Sequence, residues 1–176
     1  IEQRTLVLFM GWQFRCYPLV SRHAEAIREF FRLDDATQAI VTQFTQATRR
    51  DSDFLVGVHL RRGDYVSFAG GRYLFSDLQY ATWMRQIVEH HSDRRIRFLI
   101  CSDGSWDQSS FQGFDCIAGP GKMIEDLHAL SQCDLIIGSP STFTGWASFA
   151  GNVPFQHFYE VGERFQESAC EVYNLS

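Results

Sequence analysis

Apolar and polar positions along this chain follow two rhythms. Short, nearly continuous apolar runs occur at 5–10 (TLVLFM), 54–60 (FLVGVHL), 97–101, 114–118, 134–138 and near 155–159. Runs of this length, bounded by glycine or polar clusters, predict buried strands. Between them the period changes to that of a helix. After Pro18, the residues Val20, His23, Ala24, Ile27 and Phe31 recur at helical spacing, with Ser21 as the expected cap. Asp35 opens a second helical stretch whose expected inner face is Ala36, Ala39, Ile40, Phe44 and Ala47. From Ser76 onward, Tyr80, Trp83, Met84, Ile87 and Val88 mark an amphipathic helix. Two more helices are expected, at 123–132 and opening at Ser141.

Strands alternating with helices, the strands apolar on both faces, predict a mostly parallel sheet covered by helices on each side. The expected fold class is therefore a Rossmann-like α/β domain. No internal repeat, low-complexity tract or Pro/Ser linker divides the chain, so residues 1–176 read as one domain. In such sheets ligands bind at the carboxyl ends of strands, where helix N-termini gather free N–H groups. Three expected strand ends carry polar clusters: His59-Leu60-Arg61-Arg62-Gly63-Asp64, Ser102-Asp103-Gly104-Ser105 and Ser139-Pro140-Ser141-Thr142. One cluster alone would mean little, but three at equivalent positions predict a site.

Composition narrows the ligand. The chain is 45% hydrophobic with a formal charge of −5, a globular and mildly acidic balance. That argues against general binding to nucleic-acid backbone, where basic faces supply most of the affinity. Positive charge is almost all arginine, Lys122 being the only lysine, and arginine suits planar anion recognition. The five cysteines, Cys16, Cys101, Cys116, Cys133 and Cys170, have no CxxC spacing and read as thiols of a reducing compartment. No run approaches the roughly 20 apolar residues of a membrane helix, and no signal peptide is visible. The start, IEQRTLVLF, lacks a methionine and reads as part of a longer protein. Asn174-Leu175-Ser176 fits a glycosylation triplet of a kind that arises often by chance.

Each motif has a plain structural alternative. Alternation sends His59 and Arg61 to one face of their strand and Arg62 to the other. A guanidinium at a strand end can bind a phosphate through two parallel charged hydrogen bonds, or Arg62 and Asp64 can form a surface pair. The Arg62-Gly63-Asp64 tripeptide could also mark cell adhesion, but it abuts a strand rather than standing on a free loop. Ser139-Pro140-Ser141-Thr142 can cradle an anion or simply cap a helix, and Asp126 can serve a ligand or only the helix dipole. Asp51-Ser52-Asp53 resembles a DxD metal motif but precedes its strand. Gly119-Pro120-Gly121-Lys122 lacks the elements of a P-loop, His90-His91 has no ligand partner at metal spacing, and no GxSxG elbow exists. The expected site is free of metal and other cofactors, its anion held by protein groups.

These clusters resemble a known family. HLRRGDY is similar to the first motif of GDP-fucose-dependent fucosyltransferases, and RRGDY is closest to the α-1,2-fucosyltransferases of glycosyltransferase family 11. The helix after Ser76 with FLICSDGSWD resembles the second region of that family. DLHALSQCDLIIGSPSTFTGWASFAG resembles the third, and GWQFRCYP with AEAIREFF resembles the stretch upstream of the first. The resemblance covers nearly the whole chain, in order. It implies the donor-binding half of a two-domain GT-B enzyme, most of the acceptor domain being absent, and inverting, metal-free transfer of fucose to a glycan hydroxyl.

By that resemblance Arg61 would bind the β-phosphate of GDP-fucose, Arg62 would support the loop or the donor, and Asp103 would orient both. His59 and Asp126 would face the guanine. Ser141 and Thr142 would contact the diphosphate, and Ser102, Ser139 and Phe143 complete the expected donor site. Asp64 is the expected base, or else an arginine partner. Two departures from the family pattern stand out: Gly104-Ser105, where a second acidic residue is usual, and Thr144-Gly145 in place of a Ser-Trp pair before Trp146. The implied partners are GDP-fucose and an oligosaccharide acceptor. The implied location is a bacterial cytoplasm or, for a fragment of another enzyme, the Golgi lumen. The alternatives are transfer from another nucleotide sugar and a non-catalytic nucleotide-binding module.

Overall fold

The computed structural model describes residues 16–173. The expected strand at 5–10 and the triplet at 174–176 lie outside them. Among the described residues, five strands form one parallel sheet: β1 (Phe54–Leu60), β2 (Ile96–Ser102), β3 (Cys116–Ala118), β4 (Leu135–Gly138) and β5 (Phe155–His157). Their spatial order is β3-β2-β1-β4-β5, every neighbouring pair parallel. The chain runs outward from β1 to β3, then crosses back to β4 on the other side. The switch point of this doubly wound sheet therefore lies between β1 and β4.

Alternation along β1 divides the core in two. Val56, Val58 and Leu60 join Phe98, Ile100, Leu135 and Ile137 on one face, packed against Tyr80, Trp83, Met84 and Ile87 of helix α4 (Asp77–His90). Leu55, Leu99 and Ile136 look the other way. There they meet Val41 of α3 (Asp35–Thr48), Leu130 of α5 (Met123–Leu130) and Ala147 of α6 (Thr142–Gly151). Ser76 caps α4 by accepting from the Gln79 N–H, and Ser141 caps α6 by accepting from the Phe143 N–H.

Two helical expectations change. The stretch after Pro18 forms two short helices, α1 (Tyr17–Arg22) and α2 (Ala24–Phe30), divided where His23 leaves helical geometry. Ser21 lies inside α1 rather than capping it, and Leu19, Phe30 and Phe31 are exposed. In α3 the inner face is Val41, Thr45 and Thr48, while Ala36, Ala39, Ile40 and Ala47 face outward. Threonine reads as polar in the sequence. Thr45 can nonetheless enter the core, because its hydroxyl donates to the Val41 carbonyl one turn back, at 2.9 Å.

Candidate functional site

The alternation that sorts the core continues beyond the end of β1 and separates the two arginines. Arg62 turns toward the start of α4. Its guanidinium donates to the Phe75 carbonyl, pairs with the Asp77 carboxylate and lies 5.6 Å from the Tyr80 ring centre. Both side chains of this ion pair are largely buried. Asp77 also accepts from the Asp107 N–H at 2.8 Å, so it joins the loop after β1 to the loop after β2. An arginine so enclosed is no adhesion ligand.

Arg61 stays at the sheet edge between two carboxylates. Nη2 lies 2.8 Å from Asp64 Oδ1, and Nη1 lies 2.8 Å from Asp103 Oδ2. Its Nε is buried with no hydrogen-bond partner among the described residues. Asp103 Oδ1 accepts from the Arg62 N–H at 2.6 Å, so this one carboxylate touches both arginine residues. The departure at Gly104 now has a physical reason. A Cβ there would stand 2.8 Å from Arg62 Cβ, so the stem of Arg62 occupies the space a side chain would need. A shallow depression lined by Arg62, Gly63, Asp103 and Gly104 opens alongside.

His59 lies on the face opposite Arg62, under the start of α6. Its ring stacks on Phe143 at 4.8 Å, and its Nδ1 is buried without a partner among the described residues. Burial, reinforced by the positive charge of Arg61 and opposed by Asp103, holds its pKa down at about 4. The imidazole is therefore neutral near pH 7. An unpaired buried nitrogen is costly. Two of them, His59 Nδ1 and Arg61 Nε, belong to residues two apart at the end of β1.

The other expected residues fall into two groups. Ser102 and Ser139 are occupied by the fold. The Ser102 hydroxyl donates to the Leu60 carbonyl at 2.8 Å. That of Ser139 donates to the Tyr73 carbonyl and lies 2.8 Å from the Tyr80 hydroxyl. Ser141 caps α6, whereas Thr142, at its first position, is exposed. Asp126 lies at the start of α5, where Oδ1 accepts from the Gly121 N–H at 2.8 Å. It is buried, and desolvation raises its pKa, the nearby Glu125 adding to the effect. Gly119 has no space for a side chain, since a Cβ would meet Asp126 Oδ1 at 2.8 Å and Cys101 Sγ at 2.7 Å.

Several residues at this edge were not among the expected site residues. Tyr65 donates its hydroxyl to the Pro140 carbonyl, joining the loops after β1 and β4, and its ring lies 5.6 Å from the Arg61 guanidinium. His157 at the end of β5 sits 2.5 Å from the Thr144 hydroxyl, and its pKa is held down at about 4, first by burial and then by His59. The departure at Thr144 thus supplies a hydroxyl to a half-buried imidazole. Trp146 turns away from the edge and packs against Phe31. Asp53, of the dismissed DxD motif, is taken up by a paired contact with Arg95 before β1 begins.

A parallel sheet in the order β3-β2-β1-β4-β5, covered by helices, defines the doubly wound class of α/β domain. The family described as Glycosyl transferase family 11 matches residues 12–153, and the chain belongs to it. Among solved structures, apo POFUT1 aligns with a TM-score of 0.57 at 17% identity, covering 76% of this chain and 49% of that one. POFUT1 in complex with GDP-fucose aligns with a TM-score of 0.55 at 20% identity, again covering 76% and 49%. The fucosyltransferase NodZ from Bradyrhizobium gives a TM-score of 0.49 at 18% identity, covering 72% of this chain and 45% of NodZ. The chain spans about half the length of these proteins. A search of curated proteins finds no match. No helix among the described residues is long and apolar enough to cross a membrane.

Proposed function

We propose that this edge binds GDP-fucose and that the chain supplies the donor site for inverting transfer of fucose to a glycan hydroxyl, with α-1,2 linkage. One observation carries the reading: Arg61 and His59 each hold a buried, unpartnered nitrogen at the switch point, beside the N-terminus of α6. A diphosphate meets the guanidinium and the helix N-terminus. A purine fits beside the neutral His59, with the Asp126 carboxylate accepting from its N–H groups. The family and the GDP-fucose complex of POFUT1 support fucose as the sugar.

As the donor bond breaks, negative charge grows on the diphosphate. Arg61, Thr142 and the α6 N-terminus stabilise it more in the transition state than in the ground state. These protein groups take the place a metal would otherwise fill. Arg62 does not touch the donor and positions Arg61 through their shared partner Asp103. Asp64, the more exposed of the two Arg61 partners, holds the guanidinium while the site is empty. Once the diphosphate takes Nη2, Asp64 is free to accept the proton of the acceptor hydroxyl.

Calorimetry with GDP, ADP and UDP tests this on wild type and Arg61→Ala. A preference for GDP of tenfold or more, lost in the variant, is the expected result. Equal affinity for the three nucleotides would replace guanine with another base, and no binding would remove the donor site altogether. Transfer from labelled GDP-fucose by the full-length protein then separates an enzyme from a nucleotide-binding module.

A further inference from the structure

The sequence offers His90-His91 no ligand partner, but the fold brings one from 76 positions downstream of His91. Glu167, in a short 3-10 turn (Glu167–Ala169), reaches both imidazoles at the C-terminus of α4. Glu167 Oε2 lies 2.7 Å from His90 Nε2, and Oε1 lies 3.8 Å from His91 Nε2. One ligand atom from each of the three residues lies within 4.8 Å of the others. The second distance is too long for a hydrogen bond. His91 is 94% buried, at 6% exposure, and its Nε2 has no hydrogen-bond partner among the described residues. A buried nitrogen left open toward a carboxylate and a second imidazole lacks only an acceptor for its lone pair.

We propose that His90, His91 and Glu167 bind a divalent transition-metal ion of the zinc type, a site separate from the nucleotide edge. Two imidazoles and a carboxylate suit zinc in donor type and number, with the fourth position left to water. Zinc–ligand bonds near 2.0–2.1 Å place tetrahedral ligands about 3.3 Å apart. The two observed separations, 2.7 and 3.8 Å, lie on either side of that value. Small rotations of the exposed Glu167 and His90 side chains equalise them. Arg94, which acts electrostatically on His91 and Glu167, opposes the ion, and Asp93 favours it.

The ion's role follows from where the site lies. Before Glu167 the chain runs along α4: the Glu163 carbonyl accepts from the Trp83 indole, and the Phe165 N–H donates to the Gln86 side chain. Gln156 of β5 holds the same segment through the Arg164 carbonyl and the Gln166 N–H. A cation at Glu167 pins the end of this run to the end of α4. The 14 residues of α4 span about 20 Å, which separates the ion from Arg62 and Asp77 at the helix start. It is a structural clamp.

The test is zinc titration of the chelator-treated chain, followed by calorimetry and thermal unfolding, with cobalt(II) as a visible-absorption probe. Expected are one equivalent of zinc, a raised Tm and the cobalt spectrum of a mixed nitrogen and oxygen site. Glu167→Gln and His90→Asn weaken zinc by at least the roughly tenfold that loss of a supporting group costs and abolish the Tm shift. Both residues are surface-exposed, so these variants fold, and GDP binding stays at the wild-type level in each. Absence of zinc binding, or binding equally strong in both variants, overturns the proposal. So does a loss of zinc as large in His128→Asn, which lies on α5.

Discussion

The carboxylate of Asp103 contacts Arg61 Nη1 at 2.8 Å and the backbone N–H of Arg62 at 2.6 Å. One side chain on the loop after β2 thereby fixes the arginine that we assign to the diphosphate. Asp103→Asn keeps an acceptor for the Arg62 N–H but removes the charge facing Arg61, whereas Asp103→Ala removes both. GDP affinity measured by calorimetry falls in both variants, further in Ala. Unchanged affinity in the alanine variant would leave Asp103 as a loop tie and nothing more.

Arg62 and Asp77 form a largely buried pair, so removing one partner leaves a charge without compensation. Arg62→Ala costs about 3–5 kcal/mol in urea unfolding. Arg62→Met together with Asp77→Leu costs less than the sum of the two single changes, since each removes the other's unpaired charge. Additive losses in that cycle would mean that the pair contributes no coupling.

How much of this was legible beforehand depends on sequence distance. The strand at 54–60 and the α4 face of Tyr80, Trp83, Met84 and Ile87 follow from local period and are found in place, whereas Val88, expected on the same face, is exposed. The polar strand ends were legible for the same reason, because a parallel sheet aligns its carboxyl ends. The partners were not. The contacts that Asp77, Tyr65 and His157 make at this edge arise only through tertiary packing, and the local sequence does not show them. The α3 face was misjudged because Thr45 and Thr48 are buried where hydropathy expects alanine and isoleucine. Glu167 illustrates the same limit: its meeting with His90 is fixed by the path of the chain along α4.

Asp126 and Arg61 are assigned to opposite ends of one ligand, which makes their contributions separable. Asp126→Ala should weaken GDP by about tenfold or more, the scale of a lost charged hydrogen bond, while leaving pyrophosphate binding unchanged. Arg61→Ala should weaken both. Competition of GDP and pyrophosphate on the two variants reads this directly, and equal loss of both ligands in Asp126→Ala would remove the residue from base recognition.

His59 and His157 give the fold a dependence on pH with a definite sign. Both have folded pKa values held at about 4, chiefly by burial, against 6.5 for an unperturbed histidine. The unfolded chain therefore binds protons more readily than the folded one. The stability each neutral imidazole contributes is fully present above pH 6.5 and is lost as pH falls from there toward 4. For a histidine shifted this far the loss is on the order of 3 kcal/mol, and the two are coupled because each charge disfavours the other. Urea unfolding between pH 7.5 and 4 should show stability falling across that window. His157→Gln keeps a polar group beside Thr144 but cannot take up a proton there, so its curve is flatter and its loss roughly half that of wild type. A variant curve parallel to wild type over the whole range would mean that His157 titrates in the folded protein as it does in water.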